Sequence, residues 1–240
     1  PMLQHLSCAA IQNFTDAARF AALGLSDDKV IVTGNIKFDL SLTDDLRVQA
    51  ATLKSLLSNN GQRLVLIAAS THQGEDELIL DAFAQVRASS FESARTAVLV
   101  LVPRHPERFE RVGQLCVSRG FSVARRSEHS WDNTNDILLG NTMGELMLMF
   151  GASDIAFVGG SLVPNGGHNF IEPAAWGLPL LSGEHVFNFA EVARLMTDAG
   201  ALVQVGSATQ LAQAFLQLID DEAERKRRGV AALTVALDNR

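Results

Sequence analysis

Five short apolar runs, set apart by amphipathic stretches of helical length, constrain this chain more than any other feature of its sequence. They are Arg63–Ala69 (RLVLIAA), Thr96–Val102 (TAVLVLV), Asp136–Leu139 (DILL), Asp154–Val158 (DIAFV) and Leu178–Leu181 (LPLL). Each is short for a helix and dense in Val, Ile and Leu, the pattern of a strand covered on both faces. Between them the period changes. Leu40–Ser58 aligns Leu46, Ala50, Leu53 and Leu57 on one face, and the stretch from Ser70–Thr71 to Ser89 repeats Ile79, Phe83 and Val86 at i, i+4, i+7. Further helices are predicted up to Gly120, from Thr142, over Asn188–Ala199 and after Ser207; further strands over Lys29–Thr33, Phe121–Arg125 and Leu202–Val205. This alternation specifies an α/β fold, a parallel sheet with helices on both faces, and such sheets bind ligands at the carboxyl ends of their strands.

The compact domain is predicted over residues 40–240. Residues 1–39 lack the buried-strand rhythm and read as a helix leading out of a preceding region, with Gly34–Asp39 as the crossover. The chain starts at Pro1 without an initiator Met and reads as the interior of a longer protein. A composition of 47% hydrophobic residues in 240 is enough for one large or two small cores. The net charge of −7 argues against a nucleic-acid partner, which requires a basic face. Cys8 and Cys116 lie far apart without metal spacing and imply a thiol-state protein in a reducing compartment. No apolar run reaches the ~20 residues of a membrane span.

The polar residues gather where strands end. After Asp154–Val158 comes GGSLVPNGGHNFIE, in which Gly159, Gly160, Gly166 and Gly167 free the backbone for close ligand approach. His168, Asn169 and Glu172 add polar specificity at the start of the next helix, whose N–H groups suit an anion. Asn169-x-x-Glu172 and Thr142-Met143-Gly144-Glu145 both read as capping boxes; Glu172 serves equally as cap or as acceptor for ribose hydroxyls. Ser70 and Thr71 are helix caps or ligand contacts. His72 and Glu75 make an incomplete metal pair, and no metal is expected. In Pro103-Arg104-His105-Pro106 the prolines hold Arg104 extended at a strand end, to grip a phosphate or carboxylate or to pair with Glu107. Lys37 in GNIKFD is a lone lysine. Neither G-x-G-x-x-G after the first strand nor a P-loop is present, which turns the reading away from dehydrogenases and P-loop NTPases.

Together these motifs resemble the carboxyl-terminal half of the bacterial 3-deoxy-D-manno-octulosonic acid (Kdo) transferases. The residues that carry the resemblance are VTGNIKFD at Val32–Asp39, AASTHQGEDE at Ala68–Glu77, LVPRHPERF at Leu101–Phe109, NTMGEL at Asn141–Leu146 and FVGGSLVPNGGHNFIEPAAWGLPLLSG at Phe157–Gly183. The resemblance implies the carboxyl-terminal Rossmann-like domain of a GT-B glycosyltransferase. It implies transfer of Kdo from CMP-Kdo to a lipid A precursor, at the cytoplasmic face of the bacterial inner membrane, by an enzyme without a cofactor. Pro103, Arg104, Met143, Gly144, Glu145, Asn169, Phe170, Ile171 and Glu172 are then expected to line the CMP site, with Ser70, Thr71, Gly166, Gly167 and His168 beside them. Lys37 is expected to stabilise the transition state. The general base, the acceptor groove and the membrane-docking surface are expected outside this chain, which alone would be soluble and inactive. A leaving group with one phosphate does not demand a metal, and no D-x-D triplet occurs. The alternatives are the donor domain of another GT-B transferase or epimerase, or a non-catalytic nucleotide-binding module.

Overall fold

The computed structural model of the chain describes residues 3–11, 14–33 and 40–239. It divides into two compact units, Pro1–Ser41 with Ala236–Arg240, and Leu42–Val235.

In the first unit β1 (Ala9–Ile11) and β2 (Val30–Val32) pair in parallel across α1 (Phe14–Ala22), with Ala9 opposite Val30 and Ile11 opposite Val32. The expected lead-out helix is therefore a βαβ unit. A strand of three residues is too short to show a period, so β1 left no sequence signal.

The second unit carries the larger sheet. In chain order it runs α2 (Asp44–Leu57), β3 (Val65–Thr71), α3 (Glu75–Arg87), α4 (Glu92–Arg95), β4 (Val98–Pro103), α5 (Phe109–Ser118), β5 (Val123–Arg125), β6 (Ile137–Leu139) and α6 (Leu146–Gly151). Then come β7 (Ile155–Val158), α7 (Ile171–Ala175), β8 (Leu180–Ser182), α8 (Ala190–Asp198), β9 (Leu202–Gln204), α9 (Ala208–Asp220) and, as far as Val235, α10 (Glu222–Asp238). Seven strands lie in the order β5-β6-β4-β3-β7-β8-β9, every neighbouring pair parallel. Every residue of β3, β4 and β7 is buried, as their unbroken apolar runs require.

One face of the sheet is covered by α3, which packs on α4, α5 and α9; on the other, α6 packs between α2 and α7. Phe83, Phe157 and Phe215 lie in one hydrophobic core cluster with Leu66, Leu80 and Leu101. The free thiol of Cys116 lies in that core, and burial pushes its pKa up to about 12. Among the described residues no helix is long and apolar enough to cross a membrane.

The strand order sets the site. From β3 the chain lays β4 beside it, then β5 at the edge and β6 between β5 and β4, and returns to lay β7 on the other side of β3. That reversal opens a crevice at the carboxyl ends of β3 and β7, the usual ligand position in open α/β sheets. β3 also runs two residues further than the sequence suggests, to Thr71. Its register with β4 slips between Ala69 and Thr71, and Ser70 sits there at φ +58°. Helix α3 starts only after Gly74, at φ +91°, so Ser70 and Thr71 are strand residues and not helix caps.

Candidate functional site

The glycine-rich loop after β7 already holds an anion, and it is internal. The carboxylate of Glu75, fully buried at the start of α3, accepts backbone N–H groups from His72 (2.9 Å), Gly160 (2.6 Å), Ser161 (2.9 Å) and Leu162 (2.8 Å). The amides of the loop's first half, expected to face a ligand, are engaged by this side chain. Gly159 lies flush against β3: a Cβ there would stand 2.7 Å from the Ser70 carbonyl oxygen. Gly166 and Gly167 close the loop at φ +91° and +75°. Gly167 N donates to Gly160 O (2.8 Å), and a Cβ at Gly166 would stand 2.2 Å from Asn188 Nδ2. Their permissiveness is used for close packing within the loop.

The loop delivers His168 and Asn169 to the mouth of a cavity of about 280 Å³, shared with Ser70 of β3, Arg104 beyond β4 and Glu172 of α7. Its apolar walls include Leu146 and Phe150 of α6, Val158 and Phe189. Asn169 organises one side. Its Oδ1 accepts Ile171 N (3.0 Å) and its Nδ2 donates to Glu172 Oε1 (3.1 Å). This replaces the expected capping box, because α7 begins at Ile171 and Glu172 falls in its first turn with no side-chain cap on the helix. Burial raises the Glu172 pKa, opposed by the Asn169 hydrogen bond and by the charge of Arg104.

Arg104 is held by its backbone, whose N–H donates to Thr71 O (3.0 Å). Among the described residues its guanidinium makes no ion pair and no side-chain hydrogen bond, so the anticipated pairing with Glu107 is not formed. The neighbouring Arg108 does the structural work: it donates to Asp76 and to the Thr71 carbonyl. Asp76 also accepts the Thr71 hydroxyl (2.6 Å). Its pKa is raised, chiefly by burial, against the pull of Thr71 and Arg108.

Several expected contacts do not converge on this cavity. Thr71 is fully buried with its hydroxyl committed to Asp76, and the side chains of Phe170 and Ile171 are core. Pro103 is buried at the end of β4, and Met143, Gly144 and Glu145 lie outside the cavity lining. Glu145 precedes α6 instead of standing at its third position. Its carboxylate is gripped by Arg126 Nε (3.1 Å) and Nη2 (2.8 Å) and accepts Thr142 Oγ1 (2.5 Å). Burial works to raise the Glu145 pKa, but Arg126 and Thr142 outweigh it and hold the carboxyl below its usual range. Lys37 lies outside the described residues.

Arg108 and Arg126 were not singled out by sequence reasoning, and Glu75 was considered only as half of an incomplete metal pair with His72. The structure gives the Glu75 carboxylate another role, as acceptor for the amides of the glycine-rich loop. The histidines form a second cluster at the same strand ends. His72 Nε2 and His168 Nε2 are 2.7 Å apart with near-parallel rings, and His105 meets His72 edge-on at 5.4 Å between centroids. Burial lowers both pKa values, that of His168 to about 4, with further depression from its neighbours His72, Arg104 and His105. Among the described residues no group of three His, Cys, Asp or Glu side chains is arranged to hold a metal ion.

Residues 1–40 match the family described as 3-deoxy-D-manno-octulosonic-acid transferase (kdotransferase), and residues 126–234 match glycosyl transferases group 1. A 3-deoxy-D-manno-octulosonic acid transferase of Haemophilus influenzae is 42% identical over 100% of this chain and 55% of its own length. One of Bordetella pertussis is 36% identical over 92% of this chain and 50% of its own length. The chain thus spans about half the length of these curated relatives. Among solved structures, the C-terminal CMP-Kdo binding domain of WaaA from Acinetobacter baumannii superposes with a TM-score of 0.74 at 33% identity, covering 80% of this chain and 98% of that domain. Anabaena HepE in complex with UDP and glucose, at 14% identity and a TM-score of 0.60 over 97% of this chain and 59% of its own, shares the fold.

Proposed function

The chain belongs to the 3-deoxy-D-manno-octulosonic acid transferase family, and from that membership we propose that it is the donor-binding half of such an enzyme, holding CMP-Kdo at the carboxyl ends of β3, β4 and β7. The observation that carries the reading is Arg104, a cation with no ion-pair partner among the described residues, facing Asn169 and Glu172 across one cavity. A nucleoside monophosphate ester matches that polarity. Its phosphate falls to Arg104 and the Ser70 hydroxyl, and its ribose hydroxyls to Glu172, oriented by Asn169. The solved relative is described as binding CMP-Kdo, which supports the same ligand here.

In this reading the bond between the Kdo anomeric carbon and the phosphate oxygen breaks, and its electron pair leaves with CMP. Arg104 offsets the charge that develops on the phosphate, within a site partly shielded from water. An acceptor hydroxyl of a lipid A precursor forms the new bond and yields its proton to a base. Base and acceptor groove are assigned to the part of the family's length beyond this span, and Lys37 to stabilising charge as the sugar departs. The complete enzyme would work against the membrane surface, at the cytoplasmic face of the inner membrane.

Calorimetric titration of the chain with CMP, UMP and UDP tests the donor. CMP should bind more tightly than either uridine nucleotide. A preference for UDP would reassign the domain to another nucleotide-sugar transferase, and no binding of any of the three would refute the site.

A further inference from the structure

Two Asn-Gly dipeptides occur in the chain, Asn60–Gly61 and Asn165–Gly166, and their surroundings differ. In such a pair the glycine nitrogen has no Cβ beside it to shield it, so it can reach the side-chain carbonyl carbon of the asparagine and close a five-membered imide. At Asn60–Gly61 both reacting groups are engaged. Asn60 Oδ1 accepts the Ser55 hydroxyl (2.7 Å), and Gly61 N donates to Ser58 Oγ (2.8 Å). At Asn165–Gly166 neither group is held. Asn165 is exposed, and among the described residues its side-chain amide and the Gly166 N–H make no hydrogen bond.

The peptide bond between Asn165 and Gly166 is also polarised toward reaction. Its carbonyl oxygen accepts Asn188 Nδ2 (2.8 Å). When the Gly166 nitrogen loses its proton, the negative charge is shared with that oxygen, and a donor hydrogen-bonded there favours the anion. We propose that Asn165 is a site of spontaneous deamidation, and that the change weakens nucleotide binding. The Gly166 nitrogen gives its proton to hydroxide and bonds to Asn165 Cγ. The Cγ–Nδ2 bond breaks, and ammonia leaves with a proton from water. A second water opens the imide: cleavage at Cγ leaves an aspartate at position 165, and cleavage at the backbone carbonyl leaves an isoaspartate, whose main chain runs through the former side chain. Nothing is oxidised or reduced, and solvent water is the sole co-reactant.

The position of the dipeptide links the modification to the site. Asn188 holds this turn twice, through Asn165 O and through its own N–H to Gly166 O (3.0 Å). A Cβ at Gly166 would stand 2.6 Å from Phe187 Cε2, so the main chain packs closely here. An isoaspartate inserts one methylene into that main chain, just ahead of Gly167 and of His168 and Asn169, which line the donor cavity. Either product adds a negative charge to the loop that delivers them, against an anionic ligand. This consequence rests on the donor reading above; the modification itself does not.

Incubation of the 240-residue chain at mildly alkaline pH, followed by proteolysis and mass spectrometry, reads both dipeptides in one sample. Position 165 should exchange its NH2 for OH about tenfold faster than position 60, because two hydrogen bonds must break before Asn60 reacts. Equal rates, or faster change at position 60, overturn the proposal. In urea, with the chain unfolded, the two rates should converge, and a gap that persists there overturns the structural cause. Modified molecules carry one more negative charge and separate by anion exchange. Calorimetry should give them a CMP affinity about tenfold below that of the unmodified fraction, and equal affinity overturns the link to binding. Asn165→Gln, whose longer side chain disfavours the five-membered ring, should keep its initial CMP affinity through the same incubation; a matching decline in that variant also overturns the link. If neither fraction binds CMP, the donor reading falls while the mass analysis still decides the modification.

Discussion

Glu75→Gln is a test of how the site is held. Four backbone N–H groups, at 2.6–2.9 Å, converge on a carboxylate with no exposed surface. Glutamine keeps the shape but offers one carbonyl oxygen, and its own amide N–H groups turn toward donors. Replacing a buried charge can be neutral where its partner is also removed, but here the donors belong to the main chain and remain. About two of the four amides lose their acceptor, and each buried unpaired group costs roughly 1–3 kcal/mol. We expect a loss of about 3–5 kcal/mol, and for a unit of this size about 2–4 °C in Tm per kcal/mol, hence a fall of roughly 6–20 °C. Thermal unfolding followed by circular dichroism measures it, with the exposed Glu107→Gln as the control. CMP affinity should fall in parallel, because the same loop carries His168 and Asn169. A Tm within about 2 °C of the wild type would refute the inference that this carboxylate organises the loop.

The remaining predictions concern the cavity. Arg104→Ala should weaken CMP binding by about 1.5–3 kcal/mol, as expected for lost charge-assisted bonds, with little change in Tm because among the described residues the guanidinium makes no ion pair and no side-chain hydrogen bond; unchanged affinity would make Arg104 a surface residue. Glu172→Gln should lower CMP affinity about tenfold, or about 1.4 kcal/mol, at near-native stability, since Asn169 keeps its bond to Ile171 N. A fall in Tm with CMP binding intact would show the carboxylate to be structural. His168 is depressed to about 4 from 6.5, so over that interval the unfolded chain binds more protons than the folded one. Stability should therefore be full above pH 6.5 and decline as pH falls toward 4, and urea unfolding of His168→Gln should show a shallower decline.

The sheet was legible because three of its central strands are buried on both faces and write that burial as continuous apolar runs. β3, β4 and β7 needed no knowledge of their neighbours to be recognised. Boundaries fared worse. β3 runs on through Ser70 and Thr71, whose polar side chains look like caps, because the ladder to Pro103 and the bulge at Ser70 continue it. The Thr142–Glu145 box failed for a related reason: a carboxylate three residues after a threonine can cap a helix, but Arg126 lies within reach and takes it first.

The chain's own order of residues determined that strands and helices alternate, that the sheet is parallel, and that Ser70, Arg104, His168, Asn169 and Glu172 stand at strand ends or in the loops that follow. Those are consequences of local periodicity and of glycine and proline, which act over a few residues. Which of these side chains stay free for a ligand was decided by tertiary structure alone. Once β7 pairs beside β3, Glu75 meets the amides of residues 160–162, Arg108 takes Asp76, and the Arg104 guanidinium is left without an ion pair among the described residues while His72 reaches His168. Hydrogen bonds and ion pairs form between groups that are close in space. Separations of 32 to 96 residues along the chain carry no local signal of that proximity.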